Sequence, residues 1–281
     1  MPENLSQIKQ TLKQIGIRPS KRLGQNFLCD KNICHKVVCC LDNRLPVLEI
    51  GAGLGMLTSA LCEKKYDVTA VEYDRKLYEW LCEKFKGDNF VRIVFCDILK
   101  FNTVDFAKQK GGVINIIGNI PYSISSPLIF QIIKNSNFIE KAVLTLQKEV
   151  AERLISKPSK KSYGRLSVMF QYRAYARHIM NISSSSFYPI PKVDSGVLEI
   201  GFYKEPRFNI IDEGLFFKVV KLAFLHRRKM LLNTLKGSFE NITEILKQVD
   251  VNPQKRAEEL SVEDFVKISN KLVQKNSKAC G

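Results

Sequence analysis

Five consecutive residues, Gly118-Asn119-Ile120-Pro121-Tyr122, set an amide side chain, a constrained backbone carbonyl and an aromatic ring side by side. They follow the short apolar run Val113 to Ile117, which the turn signal Gly111-Gly112 precedes and which predicts a buried strand. Pro121 cannot donate to a sheet ladder and disfavours helical geometry in the residue before it, so the strand must end here. In open α/β sheets, ligands bind at the carboxyl ends of the strands. Asn119, with the Ile120 or Pro121 carbonyl, offers two acceptors to an exocyclic amine on a planar base. Tyr122 offers that base a face on which to stack.

A second group of residues suits a nucleoside cofactor. Glu49-x-Gly51-x-Gly53-x-Gly55 coincides with the end of the apolar run Val47 to Ile50. The dinucleotide fingerprint needs Gly or Ala three positions after its second Gly, and Met56 stands there instead. The glycines would let the backbone approach a ligand without a pyrophosphate closely. Glu72, 21 residues after Gly51, closes the next predicted strand and is placed to accept from both ribose hydroxyls. Asp97 closes the third and is placed to accept from an adenine amine. This spacing of glycines behind an acidic residue resembles the first motif of S-adenosylmethionine-dependent methyltransferases.

These residues need a scaffold of alternating strands and helices. Strands are predicted at Val47–Ile50, Val68–Val71, Val91–Phe95, Val113–Ile117 and Ala142–Leu146. Helices are predicted near 56–65, 74–86, 126–134 and 148–156, so the fold class is α/β with a parallel sheet covered on both faces. Ala174–Ile182 and Val193–Tyr203 predict an antiparallel ending to the sheet. Ahead of it, a helix over residues 4–16 precedes a basic segment, Arg18 to Arg22. The loop Leu23 to Cys29 follows, and then a helix N-capped by Asp30. The pattern turns wholly helical after Glu205-Pro206, which divides a catalytic domain, 1–205, from a small all-helical domain, 206–281.

The chain has 281 residues, is 45% hydrophobic and carries a formal charge of +16, from 44 Lys and Arg against 28 Asp and Glu. Such a field favours a polyanionic partner. No apolar run approaches the length of a spanning helix, and Met1 to Gln10 lacks the apolar core of a secretory signal. No membrane partner is therefore expected. The eight cysteines form no C-x-x-C pair and only three histidines accompany them, so no metal site is expected. Several cysteines sit in apolar runs, which points to reduced thiols in a cytoplasmic protein.

With Gly24-Gln25-Asn26-Phe27-Leu28, Asn119-Ile120-Pro121-Tyr122 through Leu128, and Phe187-Tyr188-Pro189-Ile190-Pro191-Lys192-Val193-Asp194-Ser195, the chain resembles the ribosomal RNA adenine dimethyltransferase family along nearly its whole length. That resemblance implies a Rossmann-like S-adenosylmethionine-dependent methyltransferase sheet with an RNA-recognition role for the helical domain. It implies that Asn26, Leu28, Gly51, Glu72, Asp97 and Asn119 contact the cofactor or line its pocket, alongside Glu49 and Gly53 of the glycine motif. The target adenine would be held by Asn119 and Tyr122, with Ile120 and Pro121 supplying backbone and Phe187 a second ring. Tyr163 to Tyr172 and Arg227-Arg228-Lys229 resemble the branch that modifies two neighbouring adenosines near the 3′ end of small-subunit rRNA during ribosome assembly. Ser123 departs from the Asn more usual after the Tyr.

Lys157, Lys160, Lys161, Arg165, Arg227, Arg228 and Lys229 are candidates for tracking RNA phosphates. Three other readings share the motifs. One is a large-subunit adenine methyltransferase conferring macrolide resistance. Another is an RNA- or DNA-binding assembly or transcription factor on the same fold, and the third is a DNA adenine methyltransferase.

Overall fold

A computed structural model describes residues 5–20, 22–41, 44–205 and 207–279. Pro206, at the expected boundary, and Cys280 lie outside the described residues. The strands are β1 (Phe27–Leu28), β2 (Val47–Ile50), β3 (Val68–Glu72), β4 (Val91–Phe95), β5 (Ile114–Asn119), β6 (Ile139–Gln147), β7 (Ala174–Ile182), β8 (Phe187–Tyr188) and β9 (Ser195–Phe202). Seven of them form one sheet in the order β4-β3-β2-β5-β6-β9-β7. The strands from β4 to β6 pair in parallel, and β9 runs antiparallel to β6. After β4 the chain crosses to the far side of β2 and lays down β5. The strand order therefore reverses between β2 and β5, which opens a crevice at their carboxyl ends.

Burial explains the strand sequences. Every residue of β2 and β3 is buried, as parallel strands covered on both faces require. At the sheet edge, no residue of β4 is fully buried, and Arg92 and Phe95 are exposed. The helices start where the sequence provides caps. Asp30 accepts from the Asn32 and Ile33 N–H groups ahead of the helix Lys31–Val38, and Asp74 accepts from Lys76 and Leu77 ahead of Arg75–Lys84. Two short helices, Thr103–Gln109 and Arg165–Gln171, were not among the predicted elements.

Chain contacts separate two compact units. The first comprises residues 1–151 with 176–202, and the second 152–175 with 203–281. This division differs from a single cut near residue 205, because the segment 152–175 groups with the C-terminal helices. The cause is aromatic packing within the second unit. Tyr163 is fully buried, donates its hydroxyl to the Leu260 carbonyl at 2.9 Å and meets the Phe224 ring edge-on. Tyr172 packs on Phe216 and Phe217. In the first unit, one apolar cluster runs from Leu28 and Val37 through Val47, Leu61 and Val68 to Ile117 and Phe187.

Among the described residues no helix is long and apolar enough to cross a membrane. The described cysteines are free thiols.

Candidate cofactor and substrate site

The crevice at the switch point holds a cavity of about 310 Å³. The loop 22–28 and the ends of β2, β3, β4 and β5 all contribute to its wall. Asn26, Leu28, Glu49, Gly51, Gly53, Glu72, Asp97, Asn119, Ile120, Pro121 and Tyr122 therefore come together, although 96 positions separate the first from the last. The lead-in loop is fastened over this end of the sheet by β1, which pairs antiparallel with β8, and by the Cys29 N–H donating to the Ser186 carbonyl at 2.8 Å. Gln25 accepts from the Ser20 N–H and donates to Asp74 Oδ2 at 3.2 Å, which ties the loop to the far side of the crevice.

The glycine turn is built for close approach. Gly51 and Gly53 hold φ of +70° and +60°, and a Cβ on Gly53 would sit 3.2 Å from the Phe27 ring. Behind the turn, Glu49 is 1% exposed and accepts from the Thr58 hydroxyl at 2.7 Å. Burial pushes its carboxyl up to about 8, against the smaller opposing effect of the Thr58 hydrogen bonds. Burial thus favours the protonated form of Glu49. Glu72 is also buried, and desolvation raises its pKa. Its Oε1 accepts from the Tyr73 and Asp74 N–H groups and its Oε2 from Gly53 N–H, each at 2.8 Å. Glu72 therefore joins the glycine turn to the β3 end and keeps lone pairs for a ligand. Asp97 caps the turn after β4 through Oδ1, which accepts from Leu99 N–H at 3.0 Å.

Those donors and acceptors fit an adenosyl amino-acid cofactor. The positive-φ turn leaves open backbone where a Cβ would intrude, Glu72 and Asp97 are carboxylates at successive strand ends, and apolar Leu28, Ile98 and Leu99 complete the wall.

At the other end of the cavity, the Asn119 amide donates to the Asn26 carbonyl at 2.9 Å. This fixes the amide so that Oδ1 is its remaining acceptor. The Pro121 carbonyl already accepts from Ile124 N–H and from the Ser125 hydroxyl. The Ile120 carbonyl accepts no hydrogen bond among the described residues. Tyr122 is half-buried, its pKa raised by desolvation, and its hydroxyl lies 3.0 Å from the Ser195 hydroxyl.

Two of the expected site residues have partners that their local sequence does not signal. Phe187 is 1% exposed, lies opposite Leu28 in the β1–β8 pair and packs in an apolar cluster with Leu28 and Val37. Arg227 is not a free cation. It pairs with Glu258 and donates to the Lys161 and Tyr163 carbonyls, so it knits the second unit together. Lys157, Lys160, Arg165 and Arg228 belong to that same unit and are exposed. Sequence reasoning missed Thr58 beneath Glu49 and the Gln25–Asp74 bridge, whose partners are 9 and 49 positions apart with no local signal to join them.

The family model for ribosomal RNA adenine dimethylase matches residues 17–274. A ribosomal RNA small subunit methyltransferase A from Syntrophus aciditrophicus is 38% identical over 94% of this chain and 98% of its own. One from Myxococcus xanthus is 39% identical, covering 94% of each chain. Among solved structures, a dimethyladenosine transferase from Plasmodium falciparum superposes with a TM-score of 0.72 at 25% identity, over 90% of this chain and 98% of that one. The 23S rRNA methyltransferase ErmE shares the fold, with a TM-score of 0.66 at 24% identity over 88% of this chain and all of its own. The chain belongs to the ribosomal RNA adenine dimethylase family.

Proposed function

We propose that this protein uses S-adenosylmethionine to dimethylate the exocyclic amines of two adjacent adenosines near the 3′ end of small-subunit rRNA, in the cytoplasm, during ribosome assembly. The observation that carries the reading is the pair of unspent acceptors, Asn119 Oδ1 and the Ile120 carbonyl, beside Tyr122 in the wall of the cavity. The family and the names of the small-subunit relatives supply the substrate.

When bound, S-adenosylmethionine supplies an electrophilic sulfonium methyl. Glu72, Asp97 and the Gly51–Gly53 backbone would hold it. The chain's task is to make a poor nucleophile competent. An adenine amine is planar because its lone pair is delocalised into the ring. Accepting its two N–H bonds at Asn119 Oδ1 and the Ile120 carbonyl draws the nitrogen towards tetrahedral geometry and frees the lone pair. The same two dipoles stabilise the positive charge that the nitrogen gains as it is alkylated, until one proton leaves. No strong general base is needed, and Glu49, whose protonated form burial favours, does not supply one. Stacking on Tyr122 offsets part of the cost of unstacking the base. The exposed Lys157, Lys160, Arg165 and Arg228 are read as phosphate contacts.

Reverse transcription tests the target. Dimethylation removes both amine N–H bonds, including the one that pairs the base, so primer extension on small-subunit rRNA treated with the enzyme should stop at two neighbouring adenosines near the 3′ end. Read-through there, with new stops in large-subunit RNA, would overturn the assignment.

A further inference from the structure

Tyr122 is held at two points, and only one of them belongs to its own segment. Its backbone follows Pro121 in a short 3-10 turn, closed by Ile124 N–H donating to the Pro121 carbonyl at 3.1 Å. Its phenol reaches the hydroxyl of Ser195, 73 positions away, at 3.0 Å. Ser195 is fully buried and opens β9, where it registers against Gln147 at the end of β6. The residue before it is fastened as well. The Asp194 carbonyl accepts from Lys148 N–H at 3.0 Å, and Asp194 Oδ1 accepts from Ser184 N–H at 2.9 Å. The tether therefore runs from a short turn to the sheet itself. Tyr122 is the aromatic side chain that Asn119-Ile120-Pro121-Tyr122 brings to the cavity wall, and the Ser195 hydroxyl is the hydrogen-bond partner of its phenol.

We infer that Ser195 is a positioning residue for methyl transfer: its hydroxyl fixes the plane of the Tyr122 ring on which the target base stacks. This rests on the reading of the site given above. Ser195 touches neither cofactor nor substrate in this account and acts only through the phenol. Its removal changes the orientation of the base relative to the acceptors at Asn119 and Ile120, and leaves the cofactor end of the cavity as it is.

A double-mutant cycle tests this on the full-length protein, using small ribosomal subunits that lack the modification and labelled S-adenosylmethionine. Ser195→Ala and Tyr122→Phe should each lower kcat by on the order of 10- to 100-fold, with the dissociation constant for S-adenosylmethionine within about twofold of the parent. The double variant should be no slower than either single one, because both remove the same bond. If Ser195→Ala slows transfer by the same factor in the Tyr122→Phe background as in the parent, Ser195 acts by packing and the inference fails. Unchanged kcat in both single variants also defeats it. Tyr122→Ala separates the inference from the reading beneath it. Undiminished transfer in that variant would remove Tyr122 from the site altogether, whereas loss there with normal Ser195→Ala and Tyr122→Phe would sink only the tether.

Discussion

The Asn119 side-chain amide donates to the backbone carbonyl of Asn26 at 2.9 Å, across 93 positions of sequence. This bond joins the carboxyl end of β5 to the lead-in loop and leaves Oδ1 as the free end of the amide. A carboxylate at position 119 would set an oxygen against the Asn26 carbonyl. Asn119→Asp should therefore cost more than loss of one acceptor, because repulsion would also move the loop.

Asn119→Ala removes one of two acceptors for the target amine. By analogy with single oxyanion-hole groups, transfer should fall about 10²–10³-fold. Calorimetric titration should show S-adenosylmethionine binding weakened by only a few-fold. Loss of cofactor binding on the same scale as activity would place Asn119 in the cofactor site alone.

Gly53→Ala strains the turn under the cofactor. At φ +60° an alanine costs about 1–2 kcal/mol, and its Cβ would press on the Phe27 ring at 3.2 Å. Thermal stability should fall and the dissociation constant for S-adenosylmethionine should rise by about tenfold or more. Parent-like binding would show that the turn is not the cradle.

Glu49 makes stability depend on pH in a defined window. Its carboxyl lies near 8 in the folded chain against an ordinary 4.5, because burial disfavours the charge. The unfolded chain gives up that proton at lower pH than the folded one. The contribution of the neutral acid is thus complete below about 4.5 and is lost as pH rises to about 8. Glu49→Gln keeps an acceptor for Thr58 and abolishes the titration. Urea midpoints should therefore show the variant gaining on the parent between pH 5 and pH 8. A constant difference across that range would contradict the assignment.

Arg227 and Arg228 are neighbours with different work. Arg227→Ala breaks the Glu258 pair and the bonds to the Lys161 and Tyr163 carbonyls. The side chain is partly exposed, so the cost should be about 1 kcal/mol, read as a lower melting temperature. Arg228→Ala should leave stability unchanged and reduce the slope of RNA affinity against salt by about 1. The reverse pattern would exchange their roles.

Much of this architecture is legible in the sequence. Val47–Ile50, Val91–Phe95 and Ala174–Ile182 are strands at the bounds their apolar runs predict, and Asp30 caps its helix. Glu72, Asp97 and Asn119 reach one cavity because each closes a parallel strand, and a strand end is a local signal. What stayed hidden depends on long-range partners. Arg227 looks like any solvated cation until Glu258 is brought beside it. Phe187 pairs with Leu28, 159 positions away in the sequence, and nothing local to its motif signals that partner. Tyr163 and Tyr172 draw their segment into the helical unit through rings that are adjacent only after folding.

The most direct test of the central claim supplies labelled S-adenosylmethionine and separated ribosomal subunits lacking the modification to the parent and to Asn119→Ala, then digests the RNA to nucleosides. The account predicts labelled dimethyladenosine from the small subunit with the parent, and little or none with the variant. Label confined to large-subunit RNA, or equal dimethyladenosine from both proteins, would contradict it.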